Sequence, residues 1–551
     1  TSNFRAGVNA GNSITSGGNY NVVVGDEAGT ALTTGTDNTF VGSNAGDALI
    51  DSDHNTAIGH QSLTADTKGS KSTAVGAFSL NAQNFTTATD SFNTAVGYVA
   101  GGAVTTGTNN TLIGGLAGDA ITTGAGNTGL GKNALGATTT ASANTAVGTN
   151  AMLSNTEGAN NVAVGHQALD SDTLGSKTVA VGKNTLQSQN FTTATDSNNV
   201  AVGYDAGQAV TTGTGHTLIG ANVGDALTTG NDNVAIGLNS LSADVAGSGS
   251  VAIGVVALQD QNFTTATQAH NTAIGRSAGR DITTGIRNTI IGGDAGDALT
   301  DADFNTAVGQ QALSTDTLGS NSTAIGYGAL GTQNFTTATD AFNTAVGSLA
   351  GTALTTGTKN VLVGSRSGTG LTTGERNTVV GRDALFSDTL GSQSVAIGHD
   401  ALATQNFTTA TDALNTGVGY SVGLRITTGI RNTLLGGQAG DALTDADYNV
   451  AVGAAALTSD TLGSQSTALG YGALSVQNFT TATNSLNTAV GYLAGEHVTT
   501  GTNNTLMGAN TGDALTIGKD NVAIGRSALT TDDVGSQNVA IGSSALESQN
   551  A

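Results

Sequence analysis

Three segments of the chain place carboxylate and amide oxygens at a spacing that could bind calcium. Each reads Asp-x-Asp-x-Asn, the order that opens a calcium-binding loop, because this hard cation requires several oxygen ligands close together. The candidate ligands are Asp51, Asp53, Asn55, Asp301, Asp303, Asn305, Asp445, Asp447 and Asn449. The glycine and distal glutamate of such a loop are missing, and the same slot elsewhere reads Thr-Thr-Gly-Thr-x-Asn. A polar turn therefore explains the pattern without a metal, and no cofactor is expected.

Two segments match the Gly-x-Ser-x-Gly pattern of a serine nucleophile on a sharp turn, at residues 275–279 and 419–423. Their glycines belong to a repeat that runs through the whole chain, and neither segment follows the strand–helix context that this pattern requires. The chain has no cysteine, which excludes a thiol nucleophile, a disulfide and a thiolate metal site. Seven histidines are spread over several repeat positions and are interpreted as turn or surface substitutions. The sequence predicts that the chain is not an enzyme.

A third feature is the segment Gln-Asn-Phe-Thr-Thr-Ala-Thr, which occurs six times. In one interpretation its phenylalanine and threonines form repeated weak contacts with a partner, which gain strength through multivalency. In the other, the ring packs against the body of the protein or a neighbouring chain and fixes the loop. The six phenylalanines are Phe85, Phe191, Phe263, Phe335, Phe407 and Phe479.

These segments are carried by an internal repeat whose anchor reads Asn-Thr-Ala-Val-Gly, as at residues 93–97. The anchor glycine recurs thirty times, from Gly25 to Gly542, and residues 1–20 are a degenerate first copy. The spacing is 17 residues, except at six steps of 21 that contain the Phe segments. Those steps are residues 76–97, 182–203, 254–275, 326–347, 398–419 and 470–491. No linker interrupts the pattern, so residues 1–551 are predicted to form one domain.

The repeat predicts strands rather than helices. Glycine makes up 81 of 551 residues, a density that a helix interior would not tolerate. The two residues before each anchor glycine are mostly apolar, and neighbours in a strand point to opposite faces, so both faces are apolar. Such strands are typical of covered parallel sheets. We therefore expect an all-β protein, a parallel β-solenoid or β-roll of about thirty 17-residue rungs, with its asparagines stacked in a ladder.

Charge and hydropathy restrict the partners that the chain can bind. The net charge of −23 disfavours nucleic acid, because binding to phosphates depends on Lys and Arg. No apolar stretch is long enough to cross a membrane, so this segment is not expected to insert. A small rung leaves the outer apolar face of its strand uncovered. A homotrimer would cover that face, since cyclic symmetry closes such a contact, and a single thicker solenoid is the alternative.

The anchor motifs resemble known surface fibres. Gly-Ser-x-Ser-Val-Ala-Ile-Gly, at residues 247–254 and 391–398, is similar to repeats in the heads of trimeric autotransporter adhesins. The longer form Asn-Thr-Ala-Val-Gly-Tyr-x-Ala-Gly is similar to shaft repeats of phage tail fibres. The resemblance covers nearly the whole chain, although the 17-residue rung is longer than the adhesin-head repeat and the 21-residue rung is additional. It implies a left-handed, trimeric β-roll.

The resemblance also implies a function. We expect a non-catalytic fibre, the shaft or head of a phage tail fibre, that attaches to a glycan or protein on a host surface. A bacterial surface adhesin is the first alternative, and both locations are extracellular. A β-helical carbohydrate depolymerase is an alternative of another class, but it needs a non-repeated carboxylate pair, and no unique acidic cluster is apparent in the sequence. A solenoid that recognises ice or glycan through its Thr-Thr arrays is a third alternative.

The chain starts inside the repeat pattern and ends inside it at Gln549-Asn550-Ala551, so a longer parent protein is expected.

Overall fold

The computed structural model describes residues 2–548, so the predicted end of the repeat at residues 549–551 lies outside the described residues. Two compact units are present, one within residues 1–271 and one within residues 272–551. Residues 2–548 contain strands and turns but no helix. Consequently, this part of the chain has no helix that could cross a membrane.

Each unit is built on three-residue anchor strands that end immediately before an anchor glycine. The first unit has fifteen: Phe4–Ala6, Val22–Val24, Thr39–Val41, Thr56–Ile58, Thr73–Val75, Thr94–Val96, Thr111–Ile113, Thr128–Leu130, Thr145–Val147, Val162–Val164, Val179–Val181, Val200–Val202, Thr217–Ile219, Val234–Ile236 and Val251–Ile253. The second unit has sixteen: Thr272–Ile274, Thr289–Ile291, Thr306–Val308, Thr323–Ile325, Thr344–Val346, Val361–Val363, Thr378–Val380, Val395–Ile397, Thr416–Val418, Thr433–Leu435, Val450–Val452, Thr467–Leu469, Thr488–Val490, Thr505–Met507, Val522–Ile524 and Val539–Ile541.

Within each unit every anchor strand pairs in parallel with the next one along the chain. A normal rung pairs residues 17 apart, as Thr39 with Thr56, and a long rung pairs residues 21 apart, as Thr73 with Thr94. The four additional residues therefore leave the register intact. The prediction of an all-β parallel β-solenoid with a 17-residue rung is confirmed.

The anchor glycines stack on one another within each unit. Gly42 has a φ of +139°, a conformation that L-residues with side chains rarely adopt. A Cβ added there would lie 2.5 Å from the carbonyl oxygen of Gly59 in the next rung. Only glycine therefore satisfies both the backbone angle and the close approach of the rungs.

The core is one residue wide at the anchor strand. The middle residue is fully buried, as at Ala57 and Ala95, while the residues on either side are half-exposed or exposed. The rest of the core is filled in two ways. Some rungs bury a leucine four residues after the anchor glycine, as Leu63, in the left-handed region at a φ of 51°. Others have glycine there and bury an aliphatic residue seven positions after the anchor glycine, as Leu32 and Leu49.

A ladder of buried asparagines joins the rungs. The Asn38 N–H donates to Asn21 Oδ1 at 3.0 Å, and Asn38 Nδ2 donates to the carbonyl oxygen of Ser52 at 2.8 Å. The same contacts recur through both units and satisfy amides that burial would otherwise leave unpaired. His216 stands in this ladder and is buried. The interpretation of all seven histidines as turn or surface residues is therefore wrong for His216.

Candidate functional site

The Asp-x-Asp-x-Asn segments use their oxygens within the solenoid. Asp53 Oδ1 accepts a hydrogen bond from the Thr36 N–H at 2.7 Å, and Asn55 Oδ1 accepts from the Ser72 N–H at 2.8 Å inside the ladder. The other two copies repeat this arrangement: Asp303 accepts from Ile286, Asn305 from Ser322, Asp447 from Ile430 and Asn449 from Ser466. The second and third residues of each triplet thus bond to different partners within the solenoid.

The two Gly-x-Ser-x-Gly segments are turns of the repeat. Ser277 and Ser421 occupy the second position after an anchor glycine, have φ values of 56° and 47°, and are buried. A nucleophilic serine must present its hydroxyl to a substrate. Because both serines are buried, neither hydroxyl is open to a substrate.

The six phenylalanines of the long rungs lie inside their loops. Each ring is 5% or 6% exposed, and that of Phe85 lies against the backbone of Gly69 in the preceding rung. Packing of the ring against the preceding rung therefore fixes the loop. The loop is also tied back by two-residue parallel strands: Gly69–Ser70 with Thr89–Asp90, Gly175–Ser176 with Thr195–Asp196, Gly247–Ser248 with Thr267–Gln268, Gly319–Ser320 with Thr339–Asp340, Gly391–Ser392 with Thr411–Asp412 and Gly463–Ser464 with Thr483–Asn484.

A buried polar network positions each of these loops. In the copy at residues 388–415, Asp388 Oδ1 accepts from the backbone N–H groups of Gly391 and Phe407, at 3.0 and 3.2 Å. Gln405 Nε2 donates to Asp388 Oδ2 at 2.6 Å, and Asn415 Nδ2 donates to Gln405 Oε1 at 2.9 Å. Burial raises the pKa of the Asp388 carboxyl above its ordinary value, against the lowering effect of these hydrogen bonds. The network holds a loop and offers no group to solvent.

The tips of the long rungs are exposed. The two threonines and the alanine after each phenylalanine are exposed in all six copies, as at Thr408, Thr409 and Ala410. These tips carry no charge and no exposed ring. The long rungs also expose an apolar side chain nearer the anchor strand, as Phe92 at 53% and Leu414 at 41%.

A non-repeated polar cluster lies on the second unit, across the rungs that begin at Gly364, Gly381 and Gly398. Arg366 forms a two-point ion pair with Asp383, with Nε–Oδ1 and Nη2–Oδ2 distances of 2.7 Å. Arg382 Nε lies 3.1 Å from the same carboxylate. His399 Nδ1 lies 2.9 Å from Asp400 Oδ2.

Ligand-type atoms of Asp383, His399 and Asp400 lie within 4.8 Å of one another. They could hold a metal ion in principle, but two guanidinium groups already neutralise Asp383 and would repel a cation. Two aromatic rings border the cluster. The Arg366 guanidinium lies 5.4 Å from the centre of the Phe386 ring, and His399 stacks on Tyr420 at 5.9 Å.

Sequence reasoning missed this cluster because its members are scattered in the chain. The expectation of no unique acidic cluster is therefore wrong, since the fold brings Asp383 and Asp400 together. The 17-residue period was the signal that could have revealed the cluster. Arg366, Asp383 and Asp400 all occupy the second position after an anchor glycine, so they had to stack in successive rungs.

No protein-family model matches the chain, and no curated protein matches it significantly.

Proposed function

We propose that the chain is a non-catalytic structural fibre, the shaft or head of an extracellular phage tail fibre, and that it attaches to a glycan or protein on a host surface as a homotrimer. A bacterial surface adhesin of the same build is the alternative setting. The repetition of one rung supports a mechanical role, because the bulk of the chain repeats one set of contacts.

The observation that carries the proposal is the outer face of the anchor strands. From Val22 onward, the first residue of every anchor strand is Thr or Val and the third is Val, Ile, Leu or Met. No charge interrupts either position, although the chain carries a net charge of −23. Several third residues are well exposed, as Ile58 at 38% and Leu435 at 46%. Extended apolar surfaces of this kind mark contacts between proteins.

We expect a trimer in sedimentation equilibrium and native mass spectrometry of the full chain. Ile236→Lys places a charge on the outer face and is expected to weaken the trimer at least tenfold in dissociation constant. Thr229→Lys adds the same charge to an exposed position of the same rung, in the turn that precedes the anchor strand, and is the matched control. A monomeric wild-type chain would contradict the shared-axis arrangement.

Attachment is tested separately, by depletion of labelled chain from solution by intact bacterial or eukaryotic cells. Retention that disappears after periodate oxidation of surface glycans supports a glycan receptor, and retention that disappears after protease treatment supports a protein. Retention by no cell type would contradict attachment.

A depolymerase is the second candidate, favoured by the carboxylates of Asp383 and Asp400. Glycosidases use a pair of carboxyl groups on either side of the bond that they break. Release of reducing ends from a bacterial polysaccharide, lost in Asp383→Asn and Asp400→Asn, would establish this activity.

A further inference from the structure

The polar cluster on the second unit stands out because it combines non-repeated charged groups with an exposed aromatic ring in one depression. The fifth position after the anchor glycine is Thr, Ser, Asp, Gly, Gln or another non-aromatic residue in every rung except one, where it is Phe386. Its ring is 38% exposed in a surface depression of about 320 Å³, which Asp383, Asp400, Ser387 and Arg366 also line. A single apolar platform surrounded by convergent polar groups is the general form of a small-ligand site.

The chemistry of the depression is suited to a sugar ring. A pyranose has an apolar C–H face that packs on an aromatic ring, and hydroxyl groups at its edge that both donate and accept. Phe386 provides the apolar surface. The Asp400 carboxylate accepts hydrogen bonds, and charge makes such bonds stronger than neutral ones.

The ion pairs fix the site rather than block it. Arg366 donates one hydrogen bond from Nη2 to Asp383 Oδ2, and a guanidinium has five N–H groups, so donors remain for a ligand oxygen. The same guanidinium packs over Phe386, which holds the ring in place. His399 is held between Asp400 and Tyr420. Because positive and negative groups balance here, a neutral ligand fits better than a strongly charged one.

We propose that Phe386, Arg366, Asp383 and Asp400 form a binding site for one neutral pyranose unit of a surface glycan. This assignment rests on the proposed attachment function and names its ligand class. The ring stacks on Phe386, two neighbouring hydroxyl groups donate to Asp400, and Arg366 donates to a third ligand oxygen.

The test uses saturation-transfer NMR on the full chain with the methyl glycosides of glucose, galactose, mannose and N-acetylglucosamine as probes. We expect at least one probe to bind with millimolar affinity. Phe386→Ala is expected to weaken that binding at least tenfold and Asp400→Asn several-fold. Asp205→Asn, at the matching rung position of the first unit, is the control and should leave binding unchanged. Unchanged circular dichroism and melting confirm that each variant is folded.

Three results would overturn the site: no probe binds, binding is equal in Phe386→Ala and wild type, or Zn²⁺ alone binds in an Asp400-dependent manner. The last result would make the cluster a metal site. None of these results alters the sedimentation or cell-retention experiments, so failure of the sugar site and failure of the fibre proposal are separable. Conversely, a monomeric chain that still binds a probe through Phe386 would reject the trimer and keep the site.

Discussion

His216 shows how a single residue departs from the repeat. The preceding and following rungs have Asn199 and Asn233 at this position, and the His216 N–H donates to Asn199 Oδ1 at 2.9 Å, as an asparagine would. Burial lowers the pKa of the imidazole from 6.5 to about 4. The ladder thus contains one group whose protonation opposes folding.

We predict that His216 makes the chain sensitive to acid. Its pKa in the folded state lies below that in the unfolded state, so the unfolded chain binds the proton more readily in the window between the two. The stability contributed by the neutral ring is present above pH 6.5 and is lost as the pH falls toward about 4. Between about pH 7 and about pH 5, this loss should be on the order of 2 kcal/mol.

Urea unfolding of wild type and His216→Asn at both pH values measures this effect. The variant restores the asparagine of the neighbouring rungs, so it should lose less stability on acidification than wild type by about that amount. His166→Asn, at an exposed position of the same unit, should behave as wild type. Equal pH dependence of His216→Asn and wild type would show that the ring is not buried as described.

At the scale of the element, the long rung was only partly predictable. The alternation of apolar residues and the fixed glycine spacing indicated the strands, their parallel pairing and the bulge of four residues. The burial of Phe85 was left open, because the sequence does not say how a bulge closes. The sequence did, however, contain the residue pair that holds the bulge closed. Asp66 precedes Gln83 by one 17-residue rung, and the same offset occurs in all six copies.

The cluster around Asp383 needed side-chain geometry as well as the period. A stacking period places Arg366, Asp383 and Asp400 in successive rungs, but the ion-pair distances and the approach of Phe386 depend on rotamers. A repeated motif is therefore a good guide to neighbours and a poor guide to which neighbours form a site.

We predict that Gln405→Met loosens one long rung and leaves the others intact. Methionine fills similar space but provides no hydrogen bond, so Asp388 Oδ2 loses its Gln405 donor and Asn415 Nδ2 keeps only the carbonyl oxygen of Gly429. An unpaired buried polar group costs about 1–3 kcal/mol. Amide exchange at residues 405–415 should therefore accelerate about tenfold or more.

The chain provides its own reference for this measurement. The equivalent segments 333–343 and 477–487 of the same unit carry the same network and should exchange as in wild type. Thr408→Ala, in the exposed tip of the altered loop, is the control variant and should not change exchange at residues 405–415. Acceleration that spreads to all three segments would mean that the unit unfolds as a whole.

At the scale of the whole molecule, stability comes from contacts between neighbouring rungs. Each rung pairs with the one before and the one after within its unit, so the free energy of folding is close to a sum of rung and interface contributions. Four rungs make a repeat of 72 residues that begins and ends at equivalent positions of the strand. Removal of one such block should rejoin equivalent surfaces.

We therefore predict that a chain lacking residues 326–397 folds normally. The deletion joins Ile325 to Gly398, which restores the sequence Ala-Ile-Gly of an anchor strand in the correct register. Circular dichroism per residue should be unchanged, and the melting temperature should fall by no more than a few degrees. Deletion of residues 326–396 is the matched control, since it leaves one additional residue at the junction. A one-residue shift turns inward side chains outward, so this variant should melt much earlier. Equal melting of the two deletions would contradict a stack held by strict register.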